Sequence, residues 1–296
     1  MSIFDQKVIK YEMKPLSSLE KVFPDETPVY RMECQMLSGL WGETVSFQVA
    51  YTGDFVMRER LDVRVVSELA EHVHVRTVEM VPVGRATNGI VDDNYLKTTS
   101  GLYPDLLKDL KDGKVIVYSR QWRSLWVDVD ITNEIPAGEY EIELQLIKED
   151  EVVCSAKQKV TVIGTELPKL DIMHTEWMHA DCLADYYHVE VFSEEHWKLL
   201  ENYFQEYVKR DCNMMLTPLF TSPLDTAIGL ERTTCQLIDV EVKDGEYVFG
   251  FEKLKRWIDL CKKCGIEYFE MSHLFSQWGA KYAPKVVATT FGAYFA

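Results

Sequence analysis

Between positions 45 and 164 apolar and polar residues alternate along the chain with a period of two. VSFQVAY (45–51), LDVRVVS (61–67), VHVRTVEMVPV (73–83), SLWVDVDI (124–131), YEIELQLI (140–147) and QKVTVIG (158–164) all carry this pattern. It places every second side chain on one face of an extended chain, so each segment predicts a half-buried strand. Ile135-Pro-Ala-Gly138 reads as a turn leading into a strand, and Lys148-Glu-Asp-Glu151 as a hairpin loop. Several half-buried strands at this spacing predict an antiparallel β-sandwich.

Near Gly164 the rhythm changes. Thr165-Glu-Leu-Pro168 reads as a linker, after which strand-like and helix-like segments alternate, the pattern of a parallel sheet with crossover helices. Three segments read as buried strands whose last residues turn polar and aromatic: LDIMHTEWMHADCLAD (170–185), NMMLTPLFTSPLD (213–225) and IEYFEMSHLFSQWGAK (266–281). A first helix is expected to start at Ser193, a good N-cap, with Glu194 and Glu195 in its first turn and Leu200, Phe204, Tyr207 and Val208 on one face. A second is expected from about Phe251 to Cys264, closed by Gly265. Between them QLIDVEV (236–242), Asp244-Gly245 and EYVFG (246–250) read as a hairpin.

The expected organisation is therefore a β-sandwich domain over residues 1–164 and a partial (β/α) barrel over 165–296. A complete barrel of the TIM type needs roughly 250 residues, more than the sequence holds beyond Leu167, so an incomplete barrel is expected. The last stretch, PKVVATTFGAYFA (284–296), has no helix cap and no charge after Lys285, and reads as a truncation or frameshift.

Composition narrows the function classes. A hydrophobic fraction of 47% with 12% aromatics argues for a globular protein. The formal net charge of −16 disfavours nucleic acid and anionic membranes as partners. No stretch of 18 apolar residues and no secretory leader is visible, and seven cysteines without disulfide-like spacing fit a reducing compartment, so a cytoplasmic location is expected.

In a (β/α) barrel the reactive face lies where strands end, which makes the three polar and aromatic strand ends the candidate site. The first supplies His174, Glu176, Trp177, His179 and Asp181, the second Asp225, and the third Glu270, His273, Gln277 and Trp278. Carboxylates and imidazoles can grip hydroxyls while an aromatic face stacks on the C–H surface of a sugar. The competing readings are a polar loop with a satisfied buried histidine, a turn-forming Asp225 and a packing role for Trp278.

The spacing of the histidines matches neither His-x-His nor His-Glu-x-x-His, so no metal is expected. Cys261-Lys-Lys-Cys264 has no second pair and reads as helix packing. A Gly-rich phosphate loop and a Gly-x-Ser-x-Gly elbow are both missing, which disfavours nucleotide binding and serine hydrolysis; no cofactor is expected.

At HTEWMHADCLADYYHVEVFSEEHW, MMLTPLFTSPLDTAIGLERTTCQLIDV and YFEMSHLFSQWGAKYAPK the sequence resembles glycoside hydrolase family 123 and its uncharacterised relatives. The resemblance runs from about Leu167 to Lys285, and the β-rich region before it is similar to that family's N-terminal sandwich. It implies a retaining β-N-acetylgalactosaminidase, a hexosaminidase in which the substrate's own 2-acetamido oxygen attacks C1 while an enzyme acid protonates the leaving oxygen, an exception to the two-carboxylate scheme.

The family places this work on an adjacent Asp-Glu pair at the end of a later barrel strand. No such pair stands in residues 165–296, so the resemblance transfers no catalytic residue. It transfers the strand-end candidates other than Glu270 as a substrate wall, with an amino-sugar glycoside as the expected partner and no cleavage by this chain. The rival expectation is a non-catalytic carbohydrate-binding or assembly module, with self-association through open barrel edges.

Overall fold

The computed structural model describes residues 10–29, 36–55, 57–87, 89, 91–169, 171–222, 230–275, 279–280 and 283–290. The chain divides into two compact units, Met1–Pro168 and Lys169–Ala296.

In unit 1 the period-two segments become strands, joined by others that the alternation does not reveal. In chain order they are β1 (Lys10–Ser17), β2 (Met36–Trp41), β3 (Thr44–Asp54), β4 (Glu59–Val66), β5 (Val73–Val83), β6 (Gly101–Asp109), β7 (Lys114–Val117), β8 (Arg123–Asp130), β9 (Gly138–Lys148) and β10 (Glu151–Glu166). They form two five-stranded sheets, in the orders β1-β3-β8-β5-β6 and β2-β10-β9-β4-β7. Leu125, Val127 and Val129 of β8 and Ile142, Leu144 and Leu146 of β9 are fully buried in one core shared by both sheets. Burying each such side chain contributes roughly 1.5–3 kcal/mol.

Among the described strands of unit 1, one pair departs from the expected antiparallel sandwich: β2 runs parallel to β10, with Val160 opposite Leu37. The cause is a change of sheet between β2 and β3. Gly42 turns the chain at φ 94°, and its N–H bonds the carbonyl of Ile131 at 2.7 Å. β3 therefore joins β1 and β8 instead of folding back on β2. The expected hairpin between β9 and β10 is present, with Glu149 and Asp150 both at positive φ, as a type I′ turn requires.

Unit 2 contains α1 (Ala180–Tyr187), α2 (Glu194–Val208), β11 (Met214–Thr217), β12 (Asp239–Lys243), β13 (Glu246–Gly250), α3 (Glu252–Cys264), β14 (Tyr268–Met271) and β15 (Ala288–Thr290). β11 and β14 are parallel, Met214 opposite Tyr268 and Thr217 opposite Met271, with α3 in the crossover between them. Ser193 caps α2 by accepting the His196 N–H at 3.2 Å, and Gly265 closes α3 at φ 106°.

The facing stripes of the two helices bury Trp197, Leu200, Phe204, Trp257 and Cys261 over Met215 of β11. Phe204 meets Trp257 edge-on at 5.0 Å. Cys261 thus belongs to the core, and burial pushes its thiol pKa up.

One expectation for unit 2 is corrected. Of the segment expected as a first barrel strand, residues 171–179 form no strand, and α1 begins at Ala180. The side chain of Asn213 takes the place of a neighbouring backbone: its Oδ1 accepts the His174 N–H at 2.8 Å and its Nδ2 donates to the Ile172 carbonyl at 2.8 Å. The His174 carbonyl accepts the N–H groups of both Asn213 and Met214. A contact concentrated on one residue holds the segment beside β11 without a ladder.

Within the stretch that begins at Pro284, Ala288–Thr290 form β15, which pairs in parallel with β12. Gln236 clamps it there, donating to the Val287 carbonyl at 2.8 Å and accepting the Val287 N–H at 2.9 Å. The described residues thus show a β-rich chain with one parallel βαβ unit. Among them no helix is long and apolar enough to cross a membrane.

Candidate functional site

β14 delivers Glu270 to its C-terminal end, with His273 just beyond. The irregular segment beside β11 brings Trp177 to the same place. The indole Nε1–H of Trp177 donates to Glu270 Oε2 at 2.9 Å, and its ring lies 6.4 Å from the His273 imidazole with the planes 35° apart. Trp177 keeps about half of its surface open, at 49%, so the indole is held by its edge while part of its face remains available to a ligand. Of the candidates read from the sequence, Trp177 and His273 are brought together here, with Glu270 as the group that joins them.

His174 and Glu176 lie one step back along the same segment. His174 Nε2 stands 3.6 Å from Glu176 Oε1, and its Nδ1 lies 3.2 Å from the carbonyl of Asp211, which favours a proton on Nδ1. The residue that organises this stretch is Tyr207 of α2. Its hydroxyl accepts the Glu176 N–H at 2.8 Å and lies 2.6 Å from the Met214 carbonyl, to which it donates. Burial raises the Tyr207 pKa above the ordinary phenol value and keeps the donor protonated. In the sequence Tyr207 reads only as part of the apolar face of α2, which hides the hydroxyl at its tip.

Asp181 and His179 have different surroundings. Asp181 is buried in the first turn of α1, with Oδ2 2.8 Å from Arg232 Nε and Oδ1 3.1 Å from Arg232 Nη2. Both carboxylate oxygens are therefore taken by one guanidinium. Asp185 accepts from Thr233 at 2.7 Å, a second tie between α1 and the chain before β12. His179 is half-buried at the N-cap position of α1, where its side chain makes no cap hydrogen bond. Asp225, Gln277 and Trp278 lie outside the described residues.

His196 is a buried histidine that the sequence does not flag as polar machinery. Its Nδ1 accepts the Phe192 N–H at 2.9 Å, which places the ring proton on Nε2, 2.9 Å from the Ala180 carbonyl. Burial holds its pKa below the usual histidine value, opposed by the Ala180 carbonyl and by Asp181. Among the described residues no three His, Cys, Asp or Glu side chains converge as metal ligands.

The catalytic-domain family Glycoside hydrolase 123 matches residues 177–292, a span that begins at Trp177 and includes Glu270 and His273. Among solved structures, a family 123 glycoside hydrolase from Clostridium perfringens, described for its hydrolysis of glycolipid glycans, is similar to 90% of this chain at 12% identity, with a TM-score of 0.65. This chain spans about half of that enzyme, 48% of its length. A β-glucosidase from Listeria innocua is similar over 54% of this chain and 17% of its own, at 11% identity and a TM-score of 0.25. The CARDB domain of a Pyrococcus furiosus protein is similar over 53% and 94%, at 13% identity and a TM-score of 0.24. The last two scores are too low to bear on the fold. No curated protein sequence matches the chain. The chain resembles glycoside hydrolase family 123, in its sequence from Trp177 onward and in its fold, and is glycoside hydrolase-like.

Proposed function

We propose that unit 2 contributes the sugar-binding wall of a TIM-type barrel of the family 123 kind, directed at amino-sugar glycosides of the β-N-acetylgalactosamine class. In that reading Trp177 presents its face to the sugar ring, and Glu270 and His273 accept or donate to ring hydroxyls. His174, Glu176, His179, Asp181, Asp225, Gln277 and Trp278 line or support the same wall. The observation that carries the proposal is the Trp177–Glu270 hydrogen bond beside His273, within the stretch that the family matches.

The associated chemistry is substrate-assisted hydrolysis with retention. It requires one carboxylate to orient and stabilise the acetamido group as charge develops, and a second, protonated, to act as acid. Residues 165–296 contain no adjacent Asp-Glu pair to fill those roles. The proposal therefore assigns binding of the amino sugar, and not its cleavage, to this 296-residue chain. A reducing, cytoplasmic setting belongs to the same reading, since the six described cysteines are all free.

Calorimetric titration with N-acetylgalactosamine, run beside an assay with an aryl β-N-acetylgalactosaminide, tests both parts. Saturable binding that weakens in Trp177→Ala, without turnover, is the expected result. Flat titrations would remove the carbohydrate reading. Turnover that depends on Trp177 and His273 would overturn the assignment of binding alone.

A further inference from the structure

Unit 1 holds a cleft of about 500 Å³ that the reading above does not use. It opens where β6 hands over to β7, and its lining comes from both sheets. Tyr51, Thr77, Glu79 and Arg123 belong to one, Arg60 and Lys114 to the other, and Lys108 and Lys111 come from the end of β6 and the turn after it. This volume falls in the range of small-ligand sites.

The charges around it run against the rest of the chain. The protein has a formal net charge of −16, yet the cleft gathers Arg60, Lys108, Lys111, Lys114 and Arg123 against only Glu79 and Asp109. Two of the five cations are neutralised locally, Arg60 by Asp112 at 2.8 Å and Lys114 by Asp62 at 2.9 Å. Lys108, Lys111 and Arg123 form no ion pair among the described residues. Gathering like charges at one opening costs Coulomb energy, which an anion between them would offset.

Arg123 is also set in place. Its guanidinium lies over the Tyr118 ring, 5.0 Å from the centroid, and Nη2 donates to Gln121 Oε1 at 3.2 Å. Its Nε is buried and has no acceptor among the described residues, while the guanidinium as a whole lines the cleft and carries a charge that a carboxylate or sulfate can pair with. Tyr51, a buried residue of the same lining, has its hydroxyl 3.4 Å from the Ile116 carbonyl. Glu79 and Asp109 disfavour a bare dianion and supply acceptors for hydroxyl groups.

We propose that this cleft is a binding site for a hydroxylated monoanion of sugar size, a saccharide carrying a carboxylate or a sulfate ester. Arg123, Lys108 and Lys111 hold the acidic group, while Glu79, Asp109 and Thr77 accept from its hydroxyls. The inference stands on unit 1 alone and does not depend on the function assigned to unit 2.

The test is titration of the full chain with N-acetylneuraminic acid, galactose 6-sulfate, inorganic sulfate and neutral N-acetylgalactosamine, followed by heteronuclear NMR with unit 1 resonances as the readout. At least one acidic sugar is expected to bind saturably, to weaken as salt is added, and to shift resonances around Tyr118 and Arg123. Its affinity is expected to fall roughly tenfold in Arg123→Gln, and also in the Lys108→Gln, Lys111→Gln double variant, whose exposed positions leave folding intact. Carboxylate and sulfate sources are separated by which of the two sugars binds more tightly. Failure of both acidic sugars at millimolar concentration overturns the proposal. So does equal binding of inorganic sulfate, or affinity unchanged in the lysine double variant. Shifts caused by N-acetylgalactosamine in unit 2 report separately on the wall around Trp177.

Discussion

The Tyr207 hydroxyl receives the N–H of Glu176 at 2.8 Å while donating to the Met214 carbonyl at 2.6 Å, so one side chain of α2 fastens the Trp177-bearing segment to β11. The segment forms no ladder of its own; around His174 it is held by the Asn213 amide and by the backbone N–H groups of Asn213 and Met214. The position of Trp177 against Glu270 thus rests in part on a phenol and an amide that bind the segment before the indole.

Tyr207→Phe keeps the packing of the ring and removes the hydroxyl with its contacts to Thr175, Glu176 and Met214. We expect a loss of about 1–2 kcal/mol in stability by urea denaturation. The Trp177 indole N–H resonance should move as well, because the segment holding it is released. A stability loss with the indole resonance unmoved would show that Tyr207 supports the core and not the site.

Arg232 binds Asp181 with two of its nitrogens, and both side chains are nearly buried. Removing one partner leaves the other charge without compensation in a poorly solvated place. Arg232→Ala is expected to destabilise the chain by about 3–5 kcal/mol. The double change Arg232→Met, Asp181→Leu should recover most of that loss. Equal costs for the single and double variants, read from denaturation midpoints, would assign the effect to packing and not to charge.

His196 gives unit 2 an acid-side weakness. Its folded pKa is depressed, chiefly by burial, so below about pH 6.5 the unfolded chain takes up a proton that the folded chain refuses. Stability from this group is therefore present above pH 6.5 and lost as pH falls. The slope is at most about 1.4 kcal/mol per pH unit for one proton. His196→Gln should be less stable at neutral pH yet flatter between pH 6.5 and 5. An unchanged slope in that window would place the acid sensitivity elsewhere.

The sequence reveals those elements whose burial is one-sided. β8 and β9 alternate because one face meets the core, and α2 and α3 show their stripes because each buries only one. β6 (Gly101–Asp109) is invisible to that reasoning: it lies at a sheet edge, tolerates Pro104 there, and buries little. α1 (Ala180–Tyr187) escapes because it is short and its N-cap residue, His179, makes no side-chain cap bond.

At the site, Trp177 and His273 stand out as polar or aromatic residues just past apolar runs. Tyr207 and Arg232 do not, because they act on neighbours distant in sequence: an apolar helix face conceals the phenol, and nothing near Arg232 in the chain announces Asp181.

Trp177 offers the sharpest test of the wall, because its two contributions can be separated. Trp177→Phe retains an aromatic face and loses the N–H donated to Glu270, whereas Trp177→Ala loses both. Since the indole is half exposed, neither change should cost the fold more than about 1 kcal/mol. If sugar stacking is its role, Trp177→Ala should weaken N-acetylgalactosamine binding by about 0.5–1.5 kcal/mol and Trp177→Phe by less. Equal losses in the two variants would move the weight from the ring face to the alignment of Glu270. In that case Glu270→Gln, which keeps an acceptor for the indole but drops the charge, should reduce affinity as much as either. Unchanged calorimetric affinity in all three would place the sugar site away from this strand end.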